Sequence, residues 1–184
     1  MAKKFILVLT FLIHGYFGYA QIQRTFTHRI IDHAPPDNIW IKSTGDFNND
    51  GHLDIMIGGH NGRTQDFIIW YQNPGITNGK WIKHVVYEGG DAFGFEGGVN
   101  GDLDGDIDLV MGSYWQHKLF WLENQGDGIS KWKLHELGTP KSGTTYLYDF
   151  DGDGKLDIVT RASQKYSGEV GKDVWIWRQN NIAS

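Results

Sequence analysis

The sequence predicts an all-β protein built from three repeated sheets of four short strands each, and three observations predict it. A nine-residue acidic pattern recurs along the 184 residues. Each copy is followed by short apolar runs of strand length and strand composition. Tryptophan, present eight times, returns after each copy with an asparagine three residues beyond it, as a repeated packing role requires. The composition agrees: 40% hydrophobic and 14% aromatic residues with 25 glycines and 4 prolines describe a folded β-rich chain rather than a disordered one.

The first element stands apart from the repeats. Met1-Ala2-Lys3-Lys4 is basic, Phe5 to Ile13 is apolar, and Gly18-Tyr19-Ala20 places small residues before Gln21. Residues 1–20 therefore read as a secretory signal, cleaved to leave a domain of residues 21–184, with an uncleaved anchor as the alternative. The apolar run is too short and interrupted to span a membrane, so no span is expected after cleavage. The expected location is secreted, periplasmic or cell-surface. Cleavage removes two lysines and no acid, which takes the net charge from −5 to −7. A nucleic-acid partner is excluded on that balance, because phosphates need a basic footprint. With no cysteine, disulfides cannot staple the loops, and metal is the obvious substitute.

Next come the acidic loops. Asp46-Phe47-Asn48-Asn49-Asp50-Gly51-His52-Leu53-Asp54 and Asp149-Phe150-Asp151-Gly152-Asp153-Gly154-Lys155-Leu156-Asp157 share the pattern D-x-[DN]-x-D-G-x-L-D. The middle copy aligns without a gap as Asn100-Gly101-Asp102-Leu103-Asp104-Gly105-Asp106-Ile107-Asp108. A frame starting at Asp102 needs a two-residue deletion, and the ungapped frame is preferred.

The strands follow. In the first repeat they are expected near Ile39–Thr44, Leu53–Gly58, Phe67–Tyr71 and Trp81–Tyr87. Trp70, Trp121 and Trp177 each precede an asparagine by three residues, and Trp81 and Trp132 each precede a histidine, His84 and His135, by three. The third repeat stops before such a unit, while Phe26-Thr27-His28-Arg29-Ile30-Ile31 resembles it. Residues 25–32 are thus expected as a spare fourth strand, with repeats near 39–87, 93–137 and 144–180. Units of four short strands in series are how β-propeller blades are built. Recurrence assigns the tryptophans and histidines to packing.

The three loops, each followed by Leu-Asp-Ile or Ile-Asp-Leu, resemble the FG-GAP or VCBS repeats of integrin-like β-propellers. The resemblance covers about residues 24–180 and implies a β-propeller-like array of three four-stranded blades. That is a partial propeller, since closed rings typically have about four to eight blades. It also implies a structural calcium ion in each loop, up to three in all. In this pattern positions one, three, five and nine ligate by side chain and position seven by its carbonyl. The implied ligands are Asp46, Asn48, Asp50, His52 and Asp54; Asn100, Asp102, Asp104, Asp106 and Asp108; and Asp149, Asp151, Asp153, Lys155 and Asp157. An EF-hand is excluded because the twelfth positions are Ile57, Met111 and Thr160 rather than glutamate.

Residues that break the repeat are the candidates for binding. They lie in the connections at the end opposite the acidic loops: His60 and Arg63, then Glu96, Tyr114, Trp115 and His117, then Arg161. The expected function is a secreted, calcium-stabilised module for binding or adhesion to carbohydrate or protein. Two alternatives stand: a relative or fragment of a propeller-type carbohydrate lyase or dehydratase, or a truncated copy without independent activity. No catalytic set is assigned. Three blades are too few to close a ring; truncation is the simpler explanation, and a head-to-tail homo-oligomer, each N-terminal strand completing the partner's third blade, is the alternative route to closure.

Overall fold

The computed structural model describes residues 26–60, 65–90, 93–138, 142–162 and 173–180. Residues 31–184 form one compact unit and residues 1–30 another, of which 26–30 are described and are exposed and outside any strand. Among the described residues there is no helix. Eleven strands form: β1 (Ile39–Gly45), β2 (Asp54–His60), β3 (Asp66–Gln72), β4 (Ile82–Gly89), β5 (Phe95–Asp102), β6 (Ile107–Ser113), β7 (Leu119–Glu123), β8 (Lys133–Gly138), β9 (Ser142–Tyr148), β10 (Asp157–Ala162) and β11 (Val174–Trp177).

Each acidic loop turns the chain straight back, so the strands pair antiparallel in three sheets ordered β1-β2-β3-β4, β5-β6-β7-β8 and β9-β10-β11. The fold is therefore all-β and propeller-like, with the third sheet one strand short among the described residues. β1 lies beside β5, and β5 beside β9, so the first strands are the innermost elements of successive blades.

The alternation of side chains across each pleat sends one set of residues to each neighbour. From the first sheet, Ile41, Met56, Ile68 and Trp70 meet Phe95, Leu109, Phe120, Leu122 and Trp132 of the second. Phe47, carried by the first acidic loop, is fully buried in this seam, edge-on to Trp70 at 5.7 Å and to Trp132 at 5.9 Å. Both indole nitrogens donate to the Gly128 carbonyl, at 2.8 and 3.2 Å. The second and third sheets meet through Val110, Leu119 and Ile158, flanked by Trp121, Leu147 and Trp177.

Two glycines set how closely the blades approach. A Cβ on Gly45 would lie 2.8 Å from Ile107 Cγ2 of the next blade, and one on Gly101 would lie 2.4 Å from Leu147 Cδ1. The register makes these equivalent positions, since Gly45 pairs with Asp54 and Gly101 with Asp108. The same register puts Tyr148, paired with Asp157, at this position in the third blade.

The described part of the expected spare strand, residues 26–32, is not a strand. From Ile31 the chain crosses the outer face of the first sheet instead. Ile31 packs on Ile57, Phe67, Ile69 and Tyr71, and Asp32 accepts a hydrogen bond from the Tyr71 hydroxyl at 2.7 Å.

The tryptophan repeat also needs correction. Asn73 N donates to Asp54, Asn124 N to Asp108, and in the third blade it is Gln179 N, not Asn180, that donates to Asp157. Three residues back, the counterpart of Trp70 and Trp121 is Ile176. Trp177 pairs with Ile158 and faces the second blade; one residue of register moves a side chain to the opposite face.

Candidate functional site

The acidic loops occupy one end of the blades, between the first and second strand of each. In the first, Asp46 accepts backbone bonds from Asp50 N at 3.0 Å and Gly51 N at 2.8 Å, which curls the loop around its own carboxylate. The third repeats this through Asp149, which accepts from Gly152, Asp153 and Gly154. Gly51, Gly105 and Gly154 all have positive φ, as the turn demands. These bonds lower the carboxyl of Asp149, chiefly through the Gly154 amide, and that of Asp50 is lowered chiefly by the Asn48 amide.

The last aspartate of each loop has a different job. Asp54 is buried and accepts from Phe47 N and Asn73 N, tying the start of the loop to the end of the third strand. Asp157 does the same with Phe150 N and Gln179 N. Burial raises the carboxyl of Asp54 and pushes that of Asp108 up to about 7, with the Asp104 charge adding to the second shift.

The middle loop overturns the ungapped frame. Gly101 pairs with Asp108 as Gly45 pairs with Asp54, so the loop begins at Asp102 and is two residues shorter than its neighbours. Asn100 lies on β5 opposite Leu109, turned toward the first blade, and is not a loop residue. Asp106 keeps the place of His52 and Lys155, two residues before the last aspartate, and its carboxylate accepts from Asn49 of the first loop at 3.2 Å.

The donor chemistry suits a hard cation best in the third loop, where Asp149, Asp151 and Asp153 offer carboxylate oxygens within 4.8 Å of one another. A cationic side chain already reaches this loop. Arg178 Nη1 lies 2.7 Å from Asp151 Oδ2 and 2.8 Å from Asp157 Oδ2. The residues one before Asn73 and Asn124 are Gln72, which approaches Asp50 at 3.4 Å, and Glu123, whose charge raises the carboxyl of Asp104 beyond the larger effect of burial. The position thus carries a neutral, an anionic and a cationic side chain in turn. Glu123 is held by His135 at 2.6 Å, and His84 contacts Gln72 at 3.2 Å. Those two histidines stack on Trp121 and Trp70, the packing role their recurrence predicts.

The opposite end gathers part of the expected binding set. His60 closes β2 and packs between two tryptophans, parallel to Trp40 at 5.8 Å and edge-on to Trp115 at 4.5 Å. Tyr114 stands edge-on to Trp115 at 5.8 Å. Buried Asp66 positions this group: it accepts from Phe93 N and Gly94 N, whose carbonyls in turn accept from Trp115 N and Tyr114 N. Glu96 lies on β5 at this end, and His117 sits in the β6–β7 turn with φ of 58°. Arg161 pairs with Val174 on the side of the third blade away from the second, so it does not join the His60 group. Arg63 lies outside the described residues. Sequence reasoning missed Trp40 and Asp66. Trp40 has no recurring counterpart in the other repeats, which was its signal, and Asp66 is a lone acid heading an apolar strand.

Three propeller-like sheets with an acidic loop in each define a β-propeller-type repeat module. Residues 99–160, from β5 through the second and third loops into β10, match the model of the FG-GAP-like repeat family. This part of the chain is similar to an FG-GAP-like repeat, and the first blade repeats its strand and loop pairing. No curated protein and no solved structure matches the chain.

Proposed function

We propose that the chain is an exported, calcium-stabilised repeat module that binds carbohydrate on the end opposite its acidic loops. The observation that carries this reading is the Trp40–His60–Trp115 stack. Trp40 is 57% exposed at the rim of a blade, an aromatic face on which a sugar ring can lie. The third acidic loop supports the calcium part, since Asp149, Asp151 and Asp153 supply clustered oxygen ligands and the chain has no cysteine to form a disulfide in their place. The charged, interrupted leader supports export.

The test is a glycan array with the purified chain, followed by titration of tryptophan fluorescence with any glycan retained. Trp115→Ala and Trp40→Ala should each weaken binding tenfold or more, about 1.4 kcal/mol, without moving the melting temperature. Retention of no glycan, or equal affinity in both variants, would remove the carbohydrate reading. Melts in calcium and in chelator test the metal part separately.

A further inference from the structure

The two outer faces of the array are finished differently. On the first blade the segment from Ile31 to Asp37 lies across the sheet, and Ile57, Phe67, Ile69 and Tyr71 beneath it are all under 9% exposed. On the third blade nothing described covers the corresponding surface. Tyr146 is 65% exposed, Tyr148 63%, Phe150 45%, Val174 67% and Ile176 49%. Cross-strand pairing puts them on one side: Tyr146 and Ile176 both oppose Val159, Tyr148 opposes Asp157, and Val174 opposes Arg161. Phe150 joins them edge-on to Tyr148 at 5.2 Å. Its counterpart in the first loop, Phe47, is fully buried by the second blade.

A further blade docked by the same packing does not fit this face. At both internal seams the neighbour closes over a glycine, Gly45 or Gly101, where one added carbon would already collide. Tyr148 puts a whole phenol at that position. The Ile31–Asp37 segment likewise occupies much of the first blade's outer face, where the third blade of another copy would sit in a head-to-tail ring.

We infer that this aromatic face is where two copies of the chain meet, third blade to third blade about a two-fold axis. A two-fold contact uses the same patch twice and closes on itself, which suits a molecule whose described residues leave one outer face open and lay a segment across the other. The five side chains expose on the order of 600 Å², against about 800 Å² per partner in a standard interface, so an ordinary rim completes it. Arg161 lies on this side, as do Arg178 and the Asp157 carboxylate it binds at 2.8 Å, so charge edges the apolar patch. Since each copy carries net charge −5 over its full sequence, added salt screens their repulsion and strengthens the dimer.

Sedimentation of the full chain across a wide concentration range tests this. Wild type should shift from one to two chain masses as concentration rises, at lower concentration in higher salt. Tyr146→Lys with Tyr148→Lys, and independently Val174→Asp, should abolish the dimer while the melting temperature of the monomer moves by no more than about 2 °C. Lys83→Glu on the covered face should leave the dimer intact. A wild type that stays monomeric, a dimer indifferent to both aromatic-face variants, or a dimer lost on Lys83→Glu would each overturn the inference.

Discussion

Replacing Asp32 by asparagine should loosen the segment that covers the first blade, by an amount the structure sets. Asp32 Oδ1 accepts from Ala34 N at 2.8 Å, and Oδ2 accepts from the Tyr71 hydroxyl at 2.7 Å and Lys83 Nζ at 3.3 Å. The Ala34 amide, the tyrosine and then the lysine hold this carboxyl at about 2, below its ordinary 3.8. That difference corresponds to about 2 kcal/mol of stability. The bonds give the same order independently: about 1.5 kcal/mol for a part-buried hydroxyl on a charged acceptor, and about 0.5 for the exposed lysine. At about 2–4 °C per kcal/mol for a chain of this size, Asp32→Asn should melt about 4–8 °C lower at neutral pH. Because the folded value is the depressed one, this contribution is complete above the unfolded value and is lost as pH falls from about 4 toward 2. Melts followed by circular dichroism, in chelator to leave the acidic loops out, should therefore show two curves that converge on acidification. A gap of constant size down to pH 2, or no gap at pH 7, would refute the reasoning.

The other predictions concern the loops and seams. Arg178→Gln should lower the melting temperature in chelator by about 2–6 °C, since it leaves buried Asp157 without its cation, and should enlarge the rise that calcium produces. Asp149→Ala should reduce that calcium-dependent rise, read as the difference between melts with and without the ion. Phe47→Ala should cost about 3–5 kcal/mol in denaturant unfolding, and Phe150→Ala, at the equivalent but exposed position, less than about 1. Gly101→Val should cost about 1–3 kcal/mol through its collision with Leu147, and Leu147→Ala should be less damaging in that background than alone.

Much of the blade plan was legible because its signals are local. Alternation and turn residues place the four strands of the first repeat within one or two residues of β1 to β4, and the loops declare themselves by composition. What failed was register. The Asp-Gly-x-x-Asp core aligns Asn100 with Asp46 as a string, but loop length is decided by which residues face each other across β5 and β6. Trp177 misled for a related reason: tryptophan is rare enough to anchor an alignment, yet the backbone bond to Asp157 comes from Gln179. Tyr148 shows a deeper limit. An aromatic in a strand is unremarkable until its two counterparts prove to be glycines pressed against a neighbouring blade. The binding end was half legible, since breaking the repeat singled out His60 and Trp115 but could not exclude Arg161, whose side of the sheet depends on pairing.

The unequal seams between blades set an order of disassembly. In a serial array each blade is stabilised by itself and its nearest neighbours, so the molecule opens first where the least surface is sealed. The first seam locks five large aromatic rings, Phe47, Trp70, Phe95, Phe120 and Trp132, at no more than 3% exposure. The second holds mainly aliphatic residues, and beyond it β11 keeps Trp175 45% exposed with no fourth strand over it among the described residues. In the monomer the third blade should therefore open first: its amides are expected to exchange with solvent while β1–β8 stay paired, which hydrogen exchange reads strand by strand.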